Sequence, residues 1–315
     1  MFRRRARAAA LIAVGALGLA GCGTGAPTAG SPAGDEVTVV ASFYPLQFAA
    51  ERVGGDLVHV TNLTKAGAEP HDLELTPRDV GRLAKADLVV YLSGFQPAVD
   101  DAVDGEARGV AFDVADPARL APAVSDDGHD HAEEEAEEEA EGAVDPHFWL
   151  DPTRLADVAD AIAERLGSLR RDRAQEFTAN AAALRTDLQA LDEELRLGLS
   201  TCASTELVTS HAAFGYLAER YGLEQVGIAG LSPDTEPKPA DLARVATFVA
   251  EHDVRTIYYE TLVSPTIAET VAQETGAATA VLDPLEGISG KSAGTDYLDV
   301  MRANLSTLRA GQPCP

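Results

Sequence analysis

Seven of the 315 residues are histidines, and their settings differ enough to sort. A neutral imidazole offers one ring nitrogen to a metal, so several at one place would form a metal site. His59 lies inside the β-branched run LVHVT and His252 at the end of AEHDV; both read as structural or surface residues. His129 and His131 fall in an acidic stretch, residues 126–141, with ten carboxylates. The other three are His71 in AGAEPHDLELTP, His147 in DPHFWLDP and His211 in LVTSHAAFGY. Each follows a strand or loop and lies just ahead of a helix. Ligands of open α/β sheets bind beyond the carboxyl ends of the strands. Three imidazoles so placed can converge on one cleft, and together they point to a metal.

The elements that would position them follow from the pattern. EVTVVASF, LVHVTNLT and DLVVYLS read as buried strands. Between them, PLQFAAERVGG and TPRDVGRLAKA read as helices, the latter with Thr76 as N-cap and Pro77 behind it. LDPTRLADVADAIAERLG repeats the cap-plus-proline start at Asp151 and Pro152. The second half repeats this grammar. ELVTS, VRTIYYE and TAVLDP read as strands. AAFGYLAERYG, PADLARVATFVAEHD, SPTIAETVAQETGA (capped by Ser264) and DYLDVMRANLSTLRAG read as helices. Alternating strands and helices predict parallel sheets covered on both faces. Between the halves, Phe177, Ala181, Leu184, Leu188, Leu191 and Leu195 step by fours and threes, the stripe of one long helix. The expected fold is therefore α/β: two similar lobes with parallel sheets flanked by helices, joined by one long rigid linking helix. The boundaries are 37–168, 169–200 for the helix, and 201–315.

The formal charge is −26. This excludes nucleic acid as a partner, because phosphate binding needs a basic surface, and it enriches cations nearby. Residues 1–21 carry four arginines, an apolar stretch and small residues, a secretory signal too short to span a membrane well. Leu19-Ala20-Gly21-Cys22 resembles a bacterial lipobox, which implies cleavage before Cys22 and lipid on its sulfur. Residues 22–36 form a Gly/Pro/Ser tether. The mature protein is expected outside the membrane and tied to it. In an oxidising compartment, Cys202 and Cys314 are expected to form a disulfide.

EPHDLELTPRD, DPHFWLDP, TSHAAFGYLAERYGL and LDPLEG, in that order, resemble the ZnuA-like solute-binding lipoproteins of bacterial ABC metal importers. The resemblance runs from about Val37 to Cys314, and includes the lipobox, the acidic insert and the long helix. It implies metal ligation by His71, His147 and His211. A second-lobe carboxylate from LDPLEG completes the set, Glu286 first and Asp283 second, with Glu69 or a water as further options. Three imidazoles and a carboxylate suit Zn(II), whereas manganese favours more oxygen. Manganese members commonly carry a carboxylate at the position of His211, so histidine there favours zinc.

The implied function is capture of Zn(II) between the lobes and delivery to an ABC permease and its ATPase, by a monomer and without enzymatic activity. Another divalent metal, a secreted zinc hydrolase and an adhesin role are the alternatives. Zinc binding is expected to weaken below ~pH 6 as imidazoles protonate. Phe148 and Trp149 are expected to pack around His147. Residues 126–142 read as a solvated acidic loop, with His129 and His131 as auxiliary metal contacts or none.

Overall fold

The computed structural model describes residues 36–122 and 144–314. The signal segment, Cys22, nearly all of the tether and the acidic loop with His129 and His131 lie outside the described residues.

Two four-stranded parallel sheets organise the chain. The first is built from β1 (Val37–Ala41), β2 (Val58–Asn62), β3 (Leu88–Tyr91) and β4 (Ala111–Asp113), in the order β2-β1-β3-β4. The second uses β5 (Glu206–Thr209), β6 (Glu224–Gly227), β7 (Thr256–Tyr259) and β8 (Ala278–Val281), in the order β6-β5-β7-β8. The orders are equivalent. In each, the connection reverses direction between the first and third strands, so a crevice opens there beyond the strand ends. The central strands are apolar because helices cover both faces: Val39, Val40, Ala41, Val89 and Val90 are buried. β4 and β6 were not anticipated. Both are short edge strands, AFD and EQVG, with too little apolar pattern to read locally.

Helix starts follow side-chain chemistry. Thr76 accepts from the Asp79 amide while the Asp79 carboxylate accepts from the Thr76 amide, a reciprocal cap before Pro77. Asp151 accepts from the Thr153 amide at 2.8 Å to open the helix Pro152–Leu169. Two starts differ from the sequence pattern. The helix expected from Ala212 begins only at Gly215. Pro265, not Ser264, occupies the cap of Thr266–Thr275; the Ser264 hydroxyl contacts Thr266 instead.

The helix Ala174–Leu199 has 26 residues, about 39 Å at 1.5 Å per residue. Its whole predicted stripe is buried. It packs along Pro152–Leu169 and also touches Tyr44–Gly54, Gly215–Tyr221 and Tyr297–Gly311. Its polar side reaches both halves: Asp187 pairs with Arg52, Asp192 with Arg220, and Glu194 with Arg302. One apolar core includes Val39 and Leu88 of the first sheet, Leu184 and Leu188 of the long helix, and Leu207 and Tyr258 of the second sheet. The halves therefore share a continuous packed interior. Cys202, just beyond the long helix, is disulfide-bonded to Cys314 across 112 residues.

Candidate metal centre

Four side chains from four separate segments meet in the cleft: His71, His147, His211 and Glu286. Each arrives by a different local device. His71 sits in a turn after β2, where the Leu73 amide donates to the Pro70 carbonyl at 3.3 Å. His147 caps the short 3-10 helix Phe148–Leu150. Its approach is fixed where the Asp145 amide donates to the Ala121 carbonyl. His211 follows β5 by two residues. Glu286 follows β8, where Leu285 adopts a left-handed φ of 59°, a conformation that costs an ordinary residue about 1–2 kcal/mol. That turn returns Asp283 onto the Leu285 amide at 2.9 Å and sends Glu286 into the cleft.

One Glu286 oxygen, Oε1, is the focus. It lies 3.3 Å from His71 Nε2, 3.1 Å from His147 Nε2 and 3.3 Å from His211 Nε2. His147 Nε2 and His211 Nε2 are 3.4 Å apart. A tetrahedron with legs of about 2.0–2.1 Å has edges of about 3.3–3.4 Å, so these spacings suit a zinc-sized cation. His147, His211 and Glu286 are fully buried; only the His71 side chain retains some exposure, 10%.

Two carboxylates absent from the sequence reading orient the rings. Asp145 Oδ1 receives both the backbone amide of His147 at 2.9 Å and its Nδ1 at 2.8 Å. Glu260 Oε1 meets His211 Nδ1 at 2.6 Å. Each carboxylate accepts at Nδ1, so that Nε2 is the ring nitrogen turned towards the centre. The topology explains Glu260: Thr209 pairs with Tyr258 in the β5–β7 register, so His211 and Glu260 emerge side by side at the crevice. Asp145 presses against the second lobe, and a Cβ on Gly215 would stand 2.7 Å from its Oδ2. The DPH spacing was the one visible hint of Asp145; Glu260 left none, since its partner lies 49 residues away.

Phe148 and Trp149 are fully buried. The Trp149 indole N–H donates to the Pro284 carbonyl at 2.7 Å, and the Tyr297 hydroxyl donates to the Trp149 carbonyl at 2.5 Å. The tryptophan beside His147 thus holds the loop that delivers Glu286.

Charge at the site is strongly perturbed. For His211, burial opposes the imidazolium, but Glu260 and Glu286 outweigh it and lift the pKa to about 10. His147 is also raised, burial being overcome by Asp145 and Glu286. Burial pushes Glu286 up, yet hydrogen bonds from the three imidazoles hold it well below the usual carboxylate range. For Glu69, burial and then the Glu286 charge raise the carboxyl to about 9, although its oxygens also accept from the His71 amide. His147 and His211 therefore hold a proton more tightly than an ordinary imidazole.

The remaining candidates lie elsewhere. Asp283 accepts from Leu285 and, at 3.3 Å, from Thr261, outside the four-residue group. Glu69 is beside Glu286, its carboxyl raised by burial and by that charge, and lies outside the four-residue group. His59 is exposed on β2. His252 stacks on Phe248 at 4.1 Å at a helix end.

The sequence profile described as "Zinc-uptake complex component A periplasmic" matches residues 39–311. The high-affinity zinc uptake system protein ZnuA of Bacillus subtilis is 38% identical over 282 residues, 88% of each chain. The zinc-binding protein AdcA of Streptococcus pyogenes serotype M3 is 36% identical over 286 residues, covering 87% of this chain but 56% of that one. This chain thus spans about half the length of that relative. The crystal structure of the Zn(II)-bound ZnuA-like domain of Streptococcus pneumoniae AdcA superposes with a TM-score of 0.70 at 33% identity, covering 88% of this chain and 99% of that one.

Proposed function

The chain belongs to the ZnuA family of zinc-uptake components, and from that premise we propose that it captures Zn(II) outside the cytoplasm and hands it to an ABC permease and its ATPase. His71, His147, His211 and Glu286 are the proposed ligands. The observation that carries this is the convergence of three Nε2 atoms on Glu286 Oε1 at tetrahedral-edge spacing. A set of three imidazoles and one carboxylate favours zinc over manganese.

On this reading the metal is cargo. The four protein groups would fill a tetrahedral shell, which favours a carrier over a hydrolase with an open coordination position. His71 and His147 come from the first lobe, and His211 and Glu286 from the second, so zinc fastens the two together. The proposed lobes are residues 37–168 and 201–315, joined by the segment 169–200 that contains the helix Ala174–Leu199. The shared core and the two-sided ion pairs of the long helix limit their relative movement. The protein acts as a monomer anchored through a lipidated Cys22, with residues 126–142 as a solvated accessory.

Zinc titration of the purified protein tests the reading, with His147→Ala as control. Tight, stoichiometric binding that His147→Ala weakens by more than about 100-fold is expected, since even partners of ligands typically contribute 10–100-fold. Equal affinity in the variant would refute the ligand assignment. Recovery of the cognate permease on the zinc-loaded protein tests delivery.

A further inference from the structure

The three imidazoles are not held alike. His147 and His211 are fixed through their rings, each Nδ1 meeting a buried carboxylate. No hydrogen-bonding partner meets His71 Nδ1 among the described residues. Its ring rests edge-on against Phe95, with centroids 4.7 Å apart and an interplanar angle of 78°. The place of His71 is therefore set by its main chain.

That main chain is held at its own amide by Glu69 and, on the carbonyl just before it, by the residue after Phe95. Gln96 is 1% exposed and lies beyond the end of β3. Its Nε2 donates to the Pro70 carbonyl at 3.1 Å and to Thr64 Oγ1 at 3.1 Å. Thr64 stands at the start of the loop after β2, and Pro70 immediately precedes His71, so one amide ties both arms of the loop. The orientation of the amide is chemically determined. Thr64 gives its only hydroxyl proton to the Ser42 carbonyl at 2.7 Å, so towards Gln96 it can only accept. A carbonyl also only accepts. Both contacts therefore require the NH2 end of Gln96.

On the metal-site reading above, we propose that Gln96 is the positioning residue for the third zinc ligand, acting on His71 through Pro70 and Thr64. The two sheets then solve one problem in two ways. In the second, the residue beyond β7, Glu260, holds its histidine by the ring. In the first, the segment beyond the equivalent strand, β3, holds its histidine by the backbone.

The test is a double-mutant cycle on zinc affinity with Gln96→Met, which keeps side-chain length and removes both donors. Gln96→Met is expected to weaken zinc binding by about ten-fold, the lower end for groups that orient ligands. In a His71→Ala background the same substitution should have no further effect. The Co(II) visible spectrum of Gln96→Met should shift towards that of His71→Ala. Unchanged affinity in Gln96→Met while His71→Ala is weakened would overturn the proposal and leave the ligand set standing. An undiminished Gln96→Met effect in the His71→Ala background would also overturn it, because the effect would then come from the fold at large. Unchanged affinity in His71→Ala would remove both the ligand assignment and the proposal. Gln96→Asn, whose shorter amide cannot span both acceptors, carries the same cycle if Gln96→Met does not fold.

Discussion

Zinc should have to expel a proton from the site even in mildly alkaline solution. With Glu260 on one side and Glu286 on the other, His211 has its pKa lifted to about 10. In the metal-free protein its protonated form stabilises the fold fully below the unfolded value of about 6.5, and this contribution is lost as pH rises through about 10. Zinc needs the deprotonated nitrogen, so apparent affinity should climb with pH across the same window. At about pH 7.5 the gap of about 2.5 units corresponds to about 3.4 kcal/mol, a roughly 300-fold handicap. Between about pH 7 and pH 9, affinity should rise close to ten-fold per unit for each proton released. A histidine with an ordinary pKa would leave the profile nearly flat there. Calorimetric titration in buffers of different ionisation heat counts the protons directly, and at least one should be released per zinc. Glu260→Gln removes the neighbouring charge, and should flatten the profile above about pH 7 while weakening binding in its own right. A flat wild-type profile with no proton release would refute the reasoning.

Other perturbations give separate readings. Asp145→Asn keeps the shape but replaces the carboxylate on His147 Nδ1 with a neutral acceptor, and should weaken zinc binding by about 10–100-fold in the same titration. Replacing Cys202 and Cys314 with serine opens a link spanning 112 residues. On chain-entropy grounds this should cost about 4–5 kcal/mol, read as a lower midpoint in denaturant unfolding of the metal-free protein; an unchanged midpoint would contradict the estimate. Deleting residues 126–141 should leave the tight zinc dissociation constant unaltered, and its loss would place a ligand in that segment.

Much of the scaffold was legible because its signals are local. Thr76-Pro77 and Asp151-Pro152 announce helix starts through chemistry that acts within three residues. The stripe from Phe177 to Leu195 needs only its own spacing to declare a buried face. The three cleft histidines stood out because each follows a strand or loop and precedes a helix. What stayed hidden depends on distant partners or backbone shape. β4 and β6 exist because a neighbouring strand offers hydrogen bonds, not because AFD or EQVG favours extension. Choosing between Asp283 and Glu286 required the left-handed Leu285, since that turn alone decides which carboxylate faces inward. Glu260 and Gln96 look ordinary in the chain, and gain their roles only when parallel pairing sets them beside His211 and Pro70.

The tryptophan that holds the Glu286 loop is also the only one in the chain. It is wholly shielded from water, and its ring centroid lies 5.3 Å from that of His147. The unlabelled protein therefore carries a single indole at the seam of the two lobes, its ring beside an imidazole of the cleft. Its emission is that of one environment, with no second indole to dilute it. Occupancy of the cleft is thus expected to register in emission excited selectively at the indole, in real time and without a tag.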